Sequence, residues 1–280
     1  MKLKLACSDF SFPLVSFPAV LDLIRMLEVP AVDIALFEGC KHLNPSVELA
    51  QPEAKGSQLR TILADREMTL ADVFHIGTDR ETLAPNNPDP EDNRKSRKLF
   101  ERALNYVKAA GGSHLTQLPG VNFPGVSVAE NFERSARELS WRATQAAERG
   151  VVYAVEPHIG SIIETPADAL RLIREAPGLT YALDYGHFIR AGYPDAEIEP
   201  LLRHASHFHV RGAAKGRLQA PFDKNTIDYK GVLRAMQKVG YGGYLGLEYV
   251  RIDWENCNEC DNLSETILFR DFLTAAAKEI

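Results

Sequence analysis

The stretch Val151-Val-Tyr-Ala-Val-Glu-Pro-His158 decides the fold predicted for this chain. It is an apolar run, rich in β-forming residues, that ends at a carboxylate, a proline and an imidazole. Such a run is typical of a buried strand in a parallel sheet. Three later runs share this design, with Asp, Glu or His at the carboxyl end: Leu179–His187, Ser206–Arg211 and Gly243–Tyr249. The repetition predicts an α/β fold whose polar side chains collect at one end of the strands.

Strand-like and helix-like segments alternate along the whole chain in units of roughly 30–40 residues, as eight units of a barrel require. Earlier strands are predicted at residues 2–10, 31–37, 69–75 and 114–119. We therefore expect a single (β/α)8 TIM barrel domain over residues 1–280. The loop Thr78–Pro90 is rich in proline and asparagine, which predicts a lid-like excursion at the carboxyl ends of the strands.

The composition narrows the classes of partner. The chain has 280 residues, of which 45% are hydrophobic and 25% charged, and its formal net charge is -6. A nucleic-acid partner is not expected, because proteins that bind a phosphate backbone usually have an excess of basic residues. No apolar run reaches the ~20 residues of a membrane span, so we expect no membrane partner either.

The cysteines and the amino terminus suggest a compartment. Met1–Cys7 has the pattern of a first strand rather than of a secretion signal. Four cysteines in 280 residues, without such a signal, favour a reducing cytoplasm. Cys257 and Cys260 form one CxxC pair, which we interpret as a surface loop with two thiols rather than as a zinc site.

Four polar residues end the last four strand-like runs: Glu156, Asp184, His209 and Glu248. In a parallel barrel they would converge on one point at the carboxyl face. Three carboxylates that share a small space with one imidazole repel one another strongly unless a cation compensates their charge. The pattern therefore predicts a divalent metal site.

Four short pieces follow one another along the chain: Glu156-Pro-His158, Asp184-Tyr-Gly-His187, His209 within His-Phe-His-Val-Arg, and Leu-Glu248-Tyr. In that order they resemble the xylose isomerase-like TIM barrel superfamily of sugar isomerases and epimerases. The resemblance implies that Glu156, Asp184, His209 and Glu248 are the ligands of one divalent metal ion. Mostly oxygen donors with one imidazole suit Mn²⁺, which we favour, and also Mg²⁺ or Co²⁺. The superfamily also implies a homo-oligomer, either a dimer or a tetramer.

Three histidines are candidates for contact with the substrate. In enzymes of this kind, histidines placed as His158 and His187 are usually hydrogen-bonded to substrate hydroxyls, although either residue could instead orient a carboxylate. His75 ends the third strand and either lines the pocket or has a structural role. We expect His207 to point away from His209, and we do not count it as a ligand.

Two cations follow the seventh strand, Lys215 and Arg217. Related enzymes carry a cation in this loop that fixes substrate oxygens, and either residue could match it. The alternative for each is an ordinary solvated cation of a loop.

The chemistry expected of the site is proton transfer next to a carbonyl. A sugar or keto-polyol with adjacent carbonyl and hydroxyl groups would chelate the metal ion, which stabilises the developing enediolate. Glu156 and Glu248 are the expected pair that removes the proton and returns it. This chemistry suits an isomerase or epimerase, on a substrate that is phosphorylated or not.

Three other functions are left open. A dehydratase of a keto-polyol would use the same proton abstraction and then lose a hydroxyl. Endonuclease IV shares the fold but needs further histidine ligands, and here Asn225 stands where one would be, while His114 lies at the start of its strand. A metal-free sugar-binding protein is the third possibility, which the complete ligand set disfavours.

Overall fold

A computed structural model describes residues 2–39, 42–77 and 83–280 of the chain. Cys40 and residues 78–82 of the predicted lid-like loop lie outside the described residues. The strands are β1 Leu5–Ser8, β2 Ala31–Phe37, β3 Thr69–Ile76, β4 His114–Gln117, β5 Val152–Val155, β6 Thr180–Asp184, β7 Ala205–Val210 and β8 Tyr244–Leu247.

The strands form one closed parallel barrel in sequence order, β1 to β8. Closure is achieved because β1 pairs with β2 on one side and with β8 on the other. The predicted (β/α)8 TIM barrel is thereby confirmed. Most strands are shorter than the apolar runs suggested, and Glu156 and Glu248 each stand directly after the last residue of a strand, β5 and β8.

The helices lie between the strands. They are α1 Phe17–Met26, α2 Pro45–Glu48, α3 Pro52–Ala64, α4 Pro90–Ala109, α5 Val128–Glu148, α6 Pro166–Glu175, α7 Tyr185–Ala191, α8 Asp195–Ile198, α9 Tyr229–Val239 and α10 Asn262–Glu279. Among the described residues, no helix combines the length and the apolar character needed to cross a membrane.

Local sequence explains where two of these elements begin and end. The Thr165 hydroxyl accepts a hydrogen bond from the Asp168 backbone N–H, and Pro166 occupies the first turn, so α6 begins where its sequence predicts. The helix α8 ends at Ile198, and the chain continues as a 3₁₀ segment, Glu199–His204. Pro200 accounts for the change, since its ring and missing N–H are incompatible with a continuing α-helix.

The lower interior of the barrel is polar rather than aliphatic. The His114 imidazole bridges the Asp72 carboxylate, at 2.6 Å, and the Ser206 hydroxyl, at 2.7 Å. His207 Nε2 lies 3.1 Å from Asp33 Oδ2. Burial raises the pKa of Asp72, but the charge and hydrogen bond of His114 outweigh it and lower that pKa to about 2. This network forms the floor beneath the carboxyl-terminal end of the barrel.

Candidate active site

Glu156, Asp184, His209 and Glu248 converge at the carboxyl end of the strands. Each offers one ligand atom, and these atoms all lie within 4.8 Å of one another. Four different strands supply them: Asp184 ends β6, His209 lies in β7, and the two glutamates follow β5 and β8. All four residues are at most 3% exposed, so their charges must be compensated within the protein.

His209 lies between the two glutamates. Its Nδ1 is 2.7 Å from Glu156 Oε1 and 3.3 Å from Glu248 Oε2. Burial lowers the pKa of His209, but the two carboxylates outweigh burial and raise it to about 10. Burial raises the pKa of Glu248 to about 8, whereas the hydrogen bond with His209 brings the pKa of Glu156 below its ordinary value despite burial. The two carboxyl groups are therefore in different environments, although they contact the same imidazole.

Arg211 is the residue of this cluster that the sequence analysis missed. Its side chain is 4% exposed, and Nη2 donates to Asp184 Oδ2. The same nitrogen lies 3.9 Å from Glu248 Oε2 and 3.2 Å from His187 Nε2. Burial works against its charge, but Asp184 and Glu248 raise the pKa of Arg211 above its ordinary value. A signal was present in the sequence, because Arg211 stands two residues after His209 and so shares its side of the extended chain.

The cluster suits a divalent metal ion by its chemistry. It offers three carboxylates and one imidazole, which are donors that Mn²⁺ and Mg²⁺ accept. Glu248 Oε2 is buried and makes no hydrogen bond to any described residue, so a donor atom is available. With His209 neutral, a divalent ion together with the Arg211 guanidinium would balance the charge of the three carboxylates. The cluster could therefore hold such an ion.

A cavity of about 260 Å³ opens beside the cluster and is lined by Glu156, His158, Arg211 and Glu248 together with apolar side chains. His158 lies parallel to Trp254, with ring centroids 5.2 Å apart and 10° between the planes. His187 lies behind it, with Nε2 3.5 Å from Asp184 Oδ2. Burial, followed by the neighbouring cations, lowers the pKa of His187 well below its ordinary value. Contact of either histidine with a substrate stays a prediction.

The family model of the xylose isomerase-like TIM barrel matches residues 28–268. The chain belongs to this family. The resemblance inferred from the four strand ends is thereby confirmed.

Solved structures with the same barrel support the assignment of the fold. D-psicose 3-epimerase from Clostridium cellulolyticum H10, solved with D-tagatose, is 15% identical with a TM-score of 0.80, and the match covers 98% of this chain and 99% of that chain. The 3-keto-D-glucoside 4-epimerase from E. coli is 17% identical with a TM-score of 0.72, covering 98% and 100%. A probable 3-DHS dehydratase from Bacillus anthracis is 13% identical with a TM-score of 0.71, covering 96% and 99%. No curated protein sequence matches the chain significantly.

His75, for which the sequence left either pocket lining or a structural role, points away from the cavity beside the cluster. Its neighbour Phe74 lines the cavity, and successive side chains of a strand point to opposite sides. His75 Nδ1 lies 2.8 Å from Gln117 Nε2, in a separate small cavity that Arg142 also lines. Burial and the charge of Arg142 lower the pKa of His75 to about 3, so its imidazole is neutral. These surroundings favour the structural role of His75 over contact with a substrate, which stays a prediction.

The two loop cations also lie away from the cavity. The Lys215 side chain is exposed and passes over Gly192. Arg217 Nη2 donates to Glu259 Oε2 at 2.7 Å, in an ion pair whose side chains are 41% and 56% exposed. An exposed pair of this kind contributes little to stability. Among the described residues, Arg211 is the cation that lines the cavity, at the end of the strand rather than in the loop.

Two further expectations were wrong. His207 lies on the same side of β7 as His209, with ring centroids 5.3 Å apart, because side chains two residues apart on a strand share a face. It lies deeper in the barrel, against Asp33. Cys257 and Cys260 are buried rather than exposed, since the segment that carries them folds back over the barrel and packs against Gln219.

Proposed function

We propose that this protein is a metal-dependent sugar isomerase or epimerase that moves a proton at a carbon next to a carbonyl. The observation that carries this proposal is the convergence of Glu156, Asp184, His209 and Glu248 from four strands within 4.8 Å. The similar structures, which include two sugar epimerases, support the reaction class.

The four residues would hold one divalent ion, with Mn²⁺ favoured by the donor set and Mg²⁺ or Co²⁺ as alternatives. When bound, the ion would supply Lewis acidity to the carbonyl and the neighbouring hydroxyl of a keto-sugar or keto-polyol. Ligation and acid–base work are compatible in one carboxyl group, because each carboxylate has two oxygens.

Glu156 and Glu248 are the proposed acid–base pair. They follow β5 and β8, so they reach the cavity from different parts of the barrel rim. One carboxylate takes the proton from the substrate carbon, and the other carboxyl group returns a proton to the neighbouring carbon or to the opposite face. Such an arrangement needs no cosubstrate, as isomerisation and epimerisation require.

Arg211, His158 and His187 are proposed to hold the substrate oxygens in place. Arg211 and His158 line the cavity, and His187 contacts the Arg211 guanidinium. The guanidinium is always charged and buried, so it favours negative charge that develops on an oxygen beside it.

A dehydratase remains the second candidate, because the same proton abstraction would serve it and a probable dehydratase shares the barrel. A three-metal nuclease is not favoured, because Asn225 and His114 have other partners among the described residues. Asn225 Oδ1 accepts hydrogen bonds from the backbone N–H groups of Ala213 and Ile227, so it holds the loop. His114 lies on the barrel floor, bonded to Asp72.

The test is deuterium uptake from D₂O into keto-sugars and keto-polyols, followed by NMR on protein loaded with Mn²⁺. Glu156→Gln and Glu248→Gln are each expected to slow uptake by about a hundredfold or more, because general acid–base groups typically contribute that much. Glu265→Gln is the matched control, since this carboxylate bonds the Phe222 N–H away from the cavity. Normal uptake in both site variants would refute the assignment.

The same experiment separates the alternatives. Recovery of a new stereoisomer or of the matching aldose identifies an epimerase or isomerase. Loss of water from the keto-polyol identifies a dehydratase. Sugar binding that persists without uptake, and after removal of metal, would favour a binding protein.

A further inference from the structure

The cavity has two chemically different halves. Glu156, Arg211 and Glu248 make its polar end, at the strand termini. The other side is a wall of aromatic and aliphatic side chains: Phe10, Phe37, Phe74, Ile76, Val250, Ile252 and Trp254. We call this set the apolar wall.

The apolar wall, apart from Trp254, is packed as one group. Phe37 contacts Phe10 and Phe74, with ring centroids 5.2 Å and 5.1 Å apart. Phe10, Phe74 and Val250 belong to a hydrophobic cluster that is separate from the main core of the barrel. The ring of Phe74 also stacks on His209, at 5.8 Å, so the wall begins directly beside the polar end.

Trp254 forms the outer part of the wall and is 39% exposed. The segment that carries it is anchored by Glu255, which receives two hydrogen bonds from Arg190 at 2.6 Å and 2.7 Å. Glu255 and Asn256 both have positive φ, 55° and 56°, a conformation that non-glycine residues rarely adopt. The anchor and the unusual backbone hold the indole over His158 rather than leaving it free in solvent.

A free ketose has no apolar group that would cover the apolar wall. It carries a hydroxyl group on almost every carbon, and hydroxyls placed against phenylalanine, isoleucine and valine lose their hydrogen bonds to water without replacement. The one polar residue that lines the cavity on the side of β2 is Glu38, among the described residues, and its oxygens already accept from the Ser46 N–H and hydroxyl. An apolar substituent, by contrast, would cover the exposed faces of the wall.

We propose that the substrate is a keto-sugar that bears an aromatic or bulky apolar substituent, such as a keto-glycoside of an apolar alcohol. This inference rests on the proposed function, because the polar end is assigned there to the carbonyl and its neighbouring hydroxyl. The substituent lies along the apolar wall, with its outer part against Trp254. We assign the polar end to the reacting carbon and the wall to the substituent, so we expect the wall to contribute to binding rather than to the chemical step.

The test compares two keto-glycosides that differ only at the glycosidic oxygen, phenyl 3-keto-β-D-glucoside and methyl 3-keto-β-D-glucoside, with free D-fructose as a third probe. On the Mn²⁺-loaded wild-type protein we expect kcat/KM for deuterium uptake to be at least tenfold higher for the phenyl compound. The gain should appear in KM, with kcat little changed. In Trp254→Ala the ratio should fall to about threefold or less. Leu14→Ala, which removes an apolar side chain that is 79% exposed and outside the cavity, should keep the wild-type ratio.

Binding is measured in parallel by quenching of Trp254 fluorescence in a Trp141→Phe background, which leaves Trp254 as the one tryptophan of the chain. Binding of the phenyl compound at least tenfold tighter than that of the methyl compound supports the inference, even if no probe exchanges deuterium. Absence of deuterium exchange with all three probes would count against the proposed function alone. Equal constants for the two glycosides, or a preference for free fructose, would overturn the inference and leave the proposed function standing.

Discussion

Asp72 makes the free energy of unfolding depend on pH, and the Asp72→Asn variant tests this dependence. The carboxylate is buried against His114 on the barrel floor, and its pKa is lowered from the ordinary 3.8 to about 2. A carboxyl group whose pKa falls on folding stabilises the native state above its unfolded pKa and loses that effect as pH falls through its folded pKa. The gap corresponds to about 2 kcal/mol at about 1.4 kcal/mol per tenfold change in proton affinity.

The size of this contribution at different pH values determines which two pH values to compare. The contribution of Asp72 is complete near pH 5, and about half of it is left at pH 3. We expect the loss of unfolding free energy caused by Asp72→Asn to be smaller at pH 3 than at pH 5 by about 1 kcal/mol. Urea denaturation followed by tryptophan fluorescence at the two pH values measures it.

The surface carboxylate of Asp22 provides the control for this test. Asp22→Asn removes a surface carboxylate whose side chain is 59% exposed and pairs with Arg66, so we expect a change of about 0.5 kcal/mol or less at either pH. If Asp72→Asn costs the same free energy at pH 5 and at pH 3, the ion pair on the barrel floor does not behave as described.

Two further substitutions test packing in the buried interior of the protein. Gly246→Ala should lower the free energy of unfolding by about 1–3 kcal/mol, because a Cβ there would overlap Asp33 Oδ2. The control Gly242→Ala should be close to neutral, because no heavy atom lies within 4 Å of the added carbon. Thermal unfolding measures both. Arg142→Met should cost about 3–5 kcal/mol in urea denaturation, since it leaves the buried Glu138 carboxylate with one cation partner fewer, and a cost below about 1 kcal/mol would contradict this role.

The strand ends were predictable because the signal lies within each short run of sequence. An apolar run that stops at an acid or an imidazole needs no knowledge of the rest of the chain, and parallel closure then brings Glu156, Asp184, His209 and Glu248 together. The same local rule, that every second residue shares a side, would also have found Arg211 and would have placed His207 beside His209.

Contacts between distant segments were not predictable from the sequence. Arg217 was a candidate for a substrate cation, with a solvated loop cation as the alternative, because nothing near it in sequence reveals its partner, Glu259, which lies 42 residues further along. The same holds for the polar barrel floor, where Asp33 and His207 meet only because the barrel closes, and for Trp254, which reaches the cavity on a segment anchored to Arg190. These features depend on loop paths rather than on periodicity.

The central claim is that the four-residue cluster is a divalent metal site, and the most direct test is the metal content of the protein. Protein purified without chelator is measured by elemental mass spectrometry, and stripped protein is measured again after addition of Mn²⁺. We expect about one tightly held divalent ion per chain, lost when Glu156→Gln and His209→Asn are combined. A chain that holds no ion after Mn²⁺ is added back, or that holds it equally well in the double variant, would contradict the account.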